Sequence, residues 1–436
     1  MVILNRPLRI ALLSYRSKPH CGGQGVYVRH LSRELDALGH HVEVFSGQPY
    51  PELDPGPRLR ELPSLDLYRD PDPFRTPHVH EYRDWADVLE TVMMWGGAFG
   101  EPLTFSIRAL RALAAQRGQF DVVHDNQGLG YGMLGVRRLG LPLVTSIHHP
   151  ITVDKRIDLA SVSGLTALSR RRWYGFVRMQ ARVARRVAAT GPLITVSESS
   201  RRDICRDFRV PPGRVRIIPL GVDTRVFRAR EAARVPGRIV AVASADSAIK
   251  GTGTLLRAMG KLVTDTDTHL VIVGKPAPAT ERLRAELSLA DRVTFTHSLS
   301  DEAFSDLLAS AEIAVVPSLY EGFSLPAVEH MASGTPLVAS RTGALPEVTG
   351  DAAVLVTPGD DEELAAVLRR LHHSPAQRAE LSGLALARVR ERFAWSAVAR
   401  ATADAYASAL AGQPRDGQPR DGQPRDGQPR ERHAGC

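Results

Sequence analysis

Two glutamates, Glu321 and Glu329, stand in the run Pro317-Ser-Leu-Tyr-Glu321-Gly-Phe-Ser324-Leu-Pro326-Ala-Val-Glu329. The run reads as a strand end, a glycine-bearing loop and a helix start, with Ser324 as the expected cap and Pro326 in the first turn. Gly334 and Pro336 end that helix. Free amides at such a start attract anions and suit a diphosphate. Glu321 is expected in the loop above the anion and Glu329 about one turn inside the helix. The two carboxylates can then grip the hydroxyls of an elongated ligand at separate points. Bare glutamates would be read as solvated surface acids, and it is the surrounding Gly-Phe-Ser-Leu-Pro that argues otherwise.

Other residues could serve the same site. Lys250-Gly251 offers a cation, and Gly22-Gly23-Gln-Gly25 forms a tight turn after the first strand. Val28 occupies the last position of a would-be Gly-x-Gly-x-x-Gly, which disfavours dinucleotide binding. His148 closes a later strand, and its neighbour His149 reads as structural or acceptor-facing. Asp70-Pro-Asp72, Asp265-Thr-Asp267 and His78-x-His80 lack companion ligands, so no metal site is expected.

These residues need a scaffold. Arg9 to Ser14, His41 to Ser46, Asp121 to His124, Pro142 to His148 and Leu193 to Ser197 read as strands, and Val26 to Leu38 reads as an amphipathic helix. A second series runs through Arg238 to Ala243, Leu270 to Gly274, Val293 to Thr296, Ile313 to Pro317 and Pro336 to Ser340. Strands alternating with helices predict an α/β chain of two doubly wound, Rossmann-like domains facing across a cleft, with ligands at the carboxyl ends of the strands. The expected boundaries are 1–223 for the first domain, 224–237 for a linker and 238–394 for the donor domain. Helix 395–410 is expected to pack back on the first domain. A Gly-Gln-Pro-Arg-Asp repeat tail at 412–436 holds no core and is expected to be disordered.

The segment with the paired glutamates resembles that of glycosyltransferase family 4, retaining enzymes of the GT-B fold, here of an actinobacterial type. The agreement extends in order through Gly22-Gly23-Gln-Gly25, Ile147-His148, Val196-Ser197-Glu198-Ser199, Ile218-Pro219-Leu-Gly221-Val-Asp223, Lys250-Gly251 and Gly343-Ala-Leu-Pro346-Glu347-Val. The resemblance covers roughly Arg9 to Tyr406. It implies a metal-independent hexosyltransferase with no cofactor, whose donor is a nucleotide-diphosphate sugar. His148, Glu321 and Lys250 would be catalytic. Gly23, Ser244, Lys250, Glu321, Gly322, Phe323, Ser324, Leu325 and Glu329 would bind the donor, with Glu329 at the ribose and Lys250 at the diphosphate. Two departures stand out. Relatives usually carry an arginine five or six residues before the lysine, where this chain reads Ser244-Ala-Asp246-Ser-Ala-Ile-Lys250, and Leu220 replaces a frequent asparagine. Ser244, Lys275 and the linker arginines are the candidates to substitute for the missing charge.

Composition bounds the rest. The 436 residues are 43% hydrophobic and 24% charged, which suits two globular cores. Formal charge is +8, yet Gly164 to Arg238 alone holds 18 arginines and five acids, a net +13, which leaves the remainder at about −5. Between Arg170 and Arg186, seven arginines surround one apolar face of what reads as a single helix. A solvated basic face is the plain reading, and an anionic membrane surface through 170–186 is the functional one. No nucleic-acid partner is expected, since no binding motif accompanies the charge. Cys21, Cys205 and Cys436 do not make a disulfide framework and fit a reducing compartment. The expected location is cytoplasmic, with peripheral contact at the inner face of the plasma membrane as an extension. The acceptor is open: a sugar, a lipid-linked glycan or a cell-envelope precursor. Rival readings are a sugar phosphorylase or epimerase on the same scaffold and a non-catalytic membrane-surface protein.

Overall fold

The computed structural model describes residues 6–18, 23–69, 72–160, 162–230, 234–243 and 248–411. Gly22, Ser244, Asp70, Cys21 and the repeat tail lie outside the described residues.

The first half opens with β1 (Arg9–Ser14), α1 (Gly23–Ala37), β2 (His41–Ser46), β3 (Arg58–Glu61), α2 (Trp85–Trp95) and α3 (Glu101–Ala115). It continues with β4 (Val122–Asn126), α4 (Met133–Val136), β5 (Leu143–Ser146), α5 (Thr152–Ala160), α6 (Gly164–Trp173), α7 (Phe176–Ala188), β6 (Leu193–Thr195), α8 (Glu198–Phe208) and β7 (Val215–Ile217). The second half runs β8 (Arg238–Val242), α9 (Thr252–Leu262), β9 (His269–Val273), α10 (Pro278–Glu286), β10 (Val293–Thr296) and α11 (Asp301–Ala309). Then come β11 (Ile313–Val316), α12 (Leu325–Ala332), β12 (Leu337–Ser340), α13 (Leu345–Thr349), β13 (Ala353–Val356), α14 (Asp361–His372), α15 (Pro375–Arg392) and α16 (Trp395–Ala411).

Both sheets are parallel, ordered β3-β2-β1-β4-β5-β6-β7 and β10-β9-β8-β11-β12-β13. The direction of winding reverses between β1 and β4 and again between β8 and β11, so each half has a crevice at the carboxyl ends of that central pair. The buried runs explain the strands: every residue of β4, β5, β11 and β12 is buried, as two-sided coverage by helices requires.

One apolar cluster spans both halves. It joins Tyr27 and Leu31 of α1 to Val328 and Met331 of α12 through Trp395 and Tyr406 of α16. The C-terminal helix therefore packs on the first half, where the Tyr406 hydroxyl meets His124 Nδ1 at 2.7 Å. The two passages between the halves touch each other. The Val222 amide donates to the Phe393 carbonyl at 2.9 Å, and Val222 bridges to Ala394 in parallel. A Cβ at Gly221 would lie 2.6 Å from the Trp395 ring, so only glycine admits that indole.

The arginine-rich run is not one helix. It breaks at Tyr174 and Gly175 into α6 and α7, and only α7 has a continuous buried face, formed by Phe176, Val177, Val183 and Val187 among others. Trp173, at the end of α6, joins an aromatic cluster with Phe99 and Tyr68, at centroid distances of 5.0 and 5.4 Å. Part of the arginine face is already engaged: Arg170 pairs with Asp158, Arg182 donates to the Tyr131 hydroxyl and Arg185 to the Phe208 carbonyl.

Candidate active site

The second-half crevice holds the paired-glutamate loop. Its backbone is pinned from two sides: Leu319 N donates to the Ile249 carbonyl at 2.7 Å, and Ala344 N donates to the Glu321 carbonyl at 2.8 Å. Gly251, at φ 68°, lets the turn after Lys250 approach the loop, because a Cβ there would fall 2.0 Å from the Pro317 carbonyl oxygen. These contacts bring Lys250 to Glu321 across 71 residues of chain, with Nζ 2.8 Å from Oε1. Ser318 Oγ donates to the same oxygen at 2.8 Å.

Ser324 caps α12 as expected, its hydroxyl accepting from Ala327 N at 3.4 Å. It does so at φ 84°, a left-handed conformation rare for serine and costing about 1–3 kcal/mol, of the kind that clusters at functional loops. Pro326 sits in the first turn, where a helix start leaves its leading amides without intrahelical partners. Phe323 does not line it. Its ring is buried edge-on against Phe393 at 5.8 Å, so only its backbone is available to a ligand.

Glu329 lies on α12 with no hydrogen-bond partner for its carboxylate among the described residues. Burial pushes its carboxyl up to about 7, and nearby Asp301 adds repulsion. A carboxyl left unpaired and half-desolvated is poised to take hydroxyl donors from a ligand.

The first half supplies the opposite wall. Gly23, the first residue of α1, faces Leu325 across the cleft, a Cβ there lying 3.8 Å from Leu325 Cδ1. His148 Nε2 is 2.7 Å from Asn126 Oδ1, which makes Nε2 the protonated nitrogen. Its Nδ1 is buried without a partner among the described residues and can accept a hydrogen bond. Burial, reinforced by His149, lowers the His148 pKa to about 3, so this ring stays neutral. Asn126 ends β4, which pairs with β1 and β5, so the sheet itself aims His148. Sequence reasoning missed Asn126, since a lone asparagine at a strand end carries no signal.

The halves meet directly at this loop. Ser197 and Ser200 hydroxyls donate to the Gly322 carbonyl at 2.6 and 3.0 Å, and Tyr320 OH donates to Asp203 Oδ2 at 2.7 Å. Glu347, on α13, accepts from the first two amides of α8. The Val196-Ser197-Glu198-Ser199 and Pro346-Glu347 segments are thus two sides of one contact. A Cβ at Gly322 would lie 2.8 Å from His149 Cβ, so the loop has room there only for glycine.

The candidates for the missing arginine are accounted for in part. Lys275 is exposed on the surface, Arg225 pairs with Asp223, Arg230 with Asp306, and Arg234 donates to the Gly334 carbonyl. Asp265 and Asp267 pair with Arg369 and Arg292. No cluster of three metal-ligating side chains occurs among the described residues, and none of their helices is long and apolar enough to cross a membrane.

Two family profiles match the two halves: Glycosyltransferase Family 4 over residues 21–226 and Glycosyl transferases group 1 over residues 236–374. An MMP alpha-(1->4)-mannosyltransferase of Mycolicibacterium hassiacum is 55% identical over 410 residues, covering 93% of this chain and 99% of that relative. A D-inositol 3-phosphate glycosyltransferase of Streptomyces avermitilis is 29% identical over 457 residues, covering 95% and 90%. Among solved structures, sucrose-phosphate synthase from Thermosynechococcus elongatus superposes with a TM-score of 0.72 at 26% identity, covering 93% of this chain and 100% of the other. Two parallel doubly wound halves, a cleft built from their switch points, and agreement along nearly the whole chain lead to one assignment: the chain belongs to glycosyltransferase family 4, with the GT-B fold.

Proposed function

We propose that the protein is a retaining, metal-independent mannosyltransferase that uses a nucleotide-diphosphate mannose and forms an α-(1→4) bond to a sugar acceptor. The reading is carried by the Lys250–Glu321 contact at the start of α12, opposite His148, in a chain so close to a relative named for α-(1→4) mannosyl transfer.

The donor's diphosphate lies against the amides that begin α12 and against Lys250, where the helix dipole and the ammonium share its charge. Glu321 releases Lys250 to the phosphate and accepts hydroxyls of the donor sugar, while Glu329 accepts the ribose hydroxyls. His148 Nδ1 accepts a sugar hydroxyl from the other wall. In the transfer step the C1–O bond to the phosphate breaks and the acceptor oxygen bonds C1 on the same face. Its proton passes to the departing phosphate oxygen. This chain's residues orient both partners and stabilise the leaving diphosphate.

The test is transfer from UDP-, GDP- and ADP-linked mannose and glucose to an α-mannoside, with the product linkage read by NMR. Mannose joined α-(1→4) is the expected product. Glucose transfer alone, or phosphate-dependent turnover without an acceptor, overturns the reading.

A further inference from the structure

The diphosphate site is short of positive charge. Among the described residues Lys250 is a cation paired with the loop, and its partner there is the Glu321 carboxylate. The arginine that the family resemblance leads one to expect upstream is absent from the sequence; of the four linker arginines, Arg225, Arg230 and Arg234 are engaged elsewhere and Arg228 is exposed. One side chain at the mouth of the site has the right chemistry, although the sequence reads it as structural or acceptor-facing. His149 follows β5 and stands against Gly322, so close that its Cβ and a Cβ on Gly322 would be 2.8 Å apart. Its Nε2 is 3.0 Å from Asp154 Oδ2, at the start of α5, and its carbonyl accepts from Gln127 Nε2 at 3.3 Å. Its Nδ1 has no partner among the described residues.

The groups that face His149 come from every neighbouring element. They are Asp154 on α5, Glu321 and the Tyr320 ring on the loop, Lys250 on the turn that packs under α5, and the adjacent His148. Burial alone would lower the His149 pKa. The hydrogen bond and the charge of Asp154, with Glu321 behind it, outweigh burial and Lys250, so the net shift is upward. Burial pushes His148 the opposite way, down to about 3, so the two neighbouring rings are shifted in opposite directions. With His149 neutral, Lys250, Glu321 and Asp154 together carry one net negative charge, a poor host for a dianionic diphosphate. A protonated His149 brings the group to neutrality.

We propose that His149, held by Asp154, is a donor-binding residue that supplies the second positive charge met by the diphosphate of the nucleotide sugar. The inference rests on the donor-site reading above. It gives His149 a role in binding and in stabilising the leaving group, with no proton transfer required of it. Asp154 is a positioning residue that keeps the imidazolium in place and charged.

Titration calorimetry on the full chain tests it, with UDP, GDP and ADP beside uridine, guanosine and adenosine. The variants are His149→Gln, His149→Lys, Asp154→Asn and Lys250→Ala, each checked by thermal melting. For the diphosphate that the wild type binds tightest, His149→Gln should weaken binding about tenfold and Asp154→Asn should weaken it in the same direction. His149→Lys should recover most of the loss, and the parent nucleoside should bind all variants alike. The inference is overturned if His149→Gln binds the diphosphate like wild type while Lys250→Ala does not. It is overturned equally if nucleoside and diphosphate lose the same factor, which marks a packing role. Absence of diphosphate binding by the wild type, or its indifference to Lys250→Ala, brings down the donor-site reading itself and this inference with it.

Discussion

The Glu347 carboxylate accepts from the backbone amide of Glu198 at 2.8 Å, and its second oxygen accepts from the amide of Ser199 at 2.9 Å. An acid of the second half thus caps the positive end of a first-half helix, doing across the cleft what a capping residue does within one chain segment. Replacing it by alanine should weaken closure by about 1–2 kcal/mol, enough to lower kcat/KM about tenfold. Small-angle scattering should show a larger radius of gyration for Glu347→Ala. An unchanged radius with unchanged kinetics would mean that the cap does not govern closure.

Glu321 and Lys250 should matter far more to turnover than to stability. Their contact is part-buried in a cleft and adds little to the fold. Glu321→Gln and Lys250→Ala should each reduce transfer by about 100-fold or more. Their melting temperatures should stay within a few degrees of wild type. Full activity in either variant refutes the site.

The carboxyl of Glu329 sets a pH dependence opposite to that of an ordinary surface acid. Its pKa is raised from 4.5 to about 7, chiefly by burial, so the folded protein holds this proton more tightly than the unfolded chain does. Stability at this position is therefore lost as pH rises from about 4.5 to about 7, with the full penalty above that range. Binding runs the other way, because only the carboxylate accepts two ribose hydroxyls. Affinity for a simple nucleoside should increase between about pH 5.5 and about pH 8 in the wild type and stay flat in Glu329→Gln. A nucleoside titration at several pH values decides it, and a flat wild-type curve argues against ribose contact.

The attachment of α16 offers a stability test remote from the chemistry. Tyr406 is fully buried, and its hydroxyl is 2.7 Å from His124 Nδ1, whose Nε2 is 2.7 Å from Ser146 Oγ. Tyr406→Phe leaves that buried nitrogen without its partner and should cost about 1–3 kcal/mol in urea unfolding, with KM for the donor unchanged. A loss below about 0.5 kcal/mol would show that the ring, and not the hydroxyl, anchors the helix.

The sequence made legible what is local and periodic. Apolar runs separated by helical stretches located most strands, and Ser324, Pro326 and Gly334 marked both ends of α12 because capping chemistry acts over a few residues. β3 escaped notice since all four of its residues are exposed, so this edge strand has no apolar signature. The break at Tyr174–Gly175 was hidden by a run whose helical face looked continuous. Trp85 and Trp95 are both largely exposed on α2, where no periodicity could have told lining from surface. Contacts between distant segments were the least legible. Glu347 with α8, Asn126 with His148 and Tyr320 with Asp203 are each formed by residues more than 20 positions apart; the first and last depend on how the two halves come together, and Asn126 with His148 on the pairing of β4 with β5.

The two passages between the halves, tied side by side through Val222, Phe393 and Ala394, form a single pivot. A clamshell on one pivot has essentially one way to swing. Opening the cleft must then separate Glu347 from α8, Tyr320 from Asp203 and Gly322 from its two serines together. Donor entry and product exit consequently share one motion, and whatever stiffens that pivot slows both while leaving the chemistry between them unchanged.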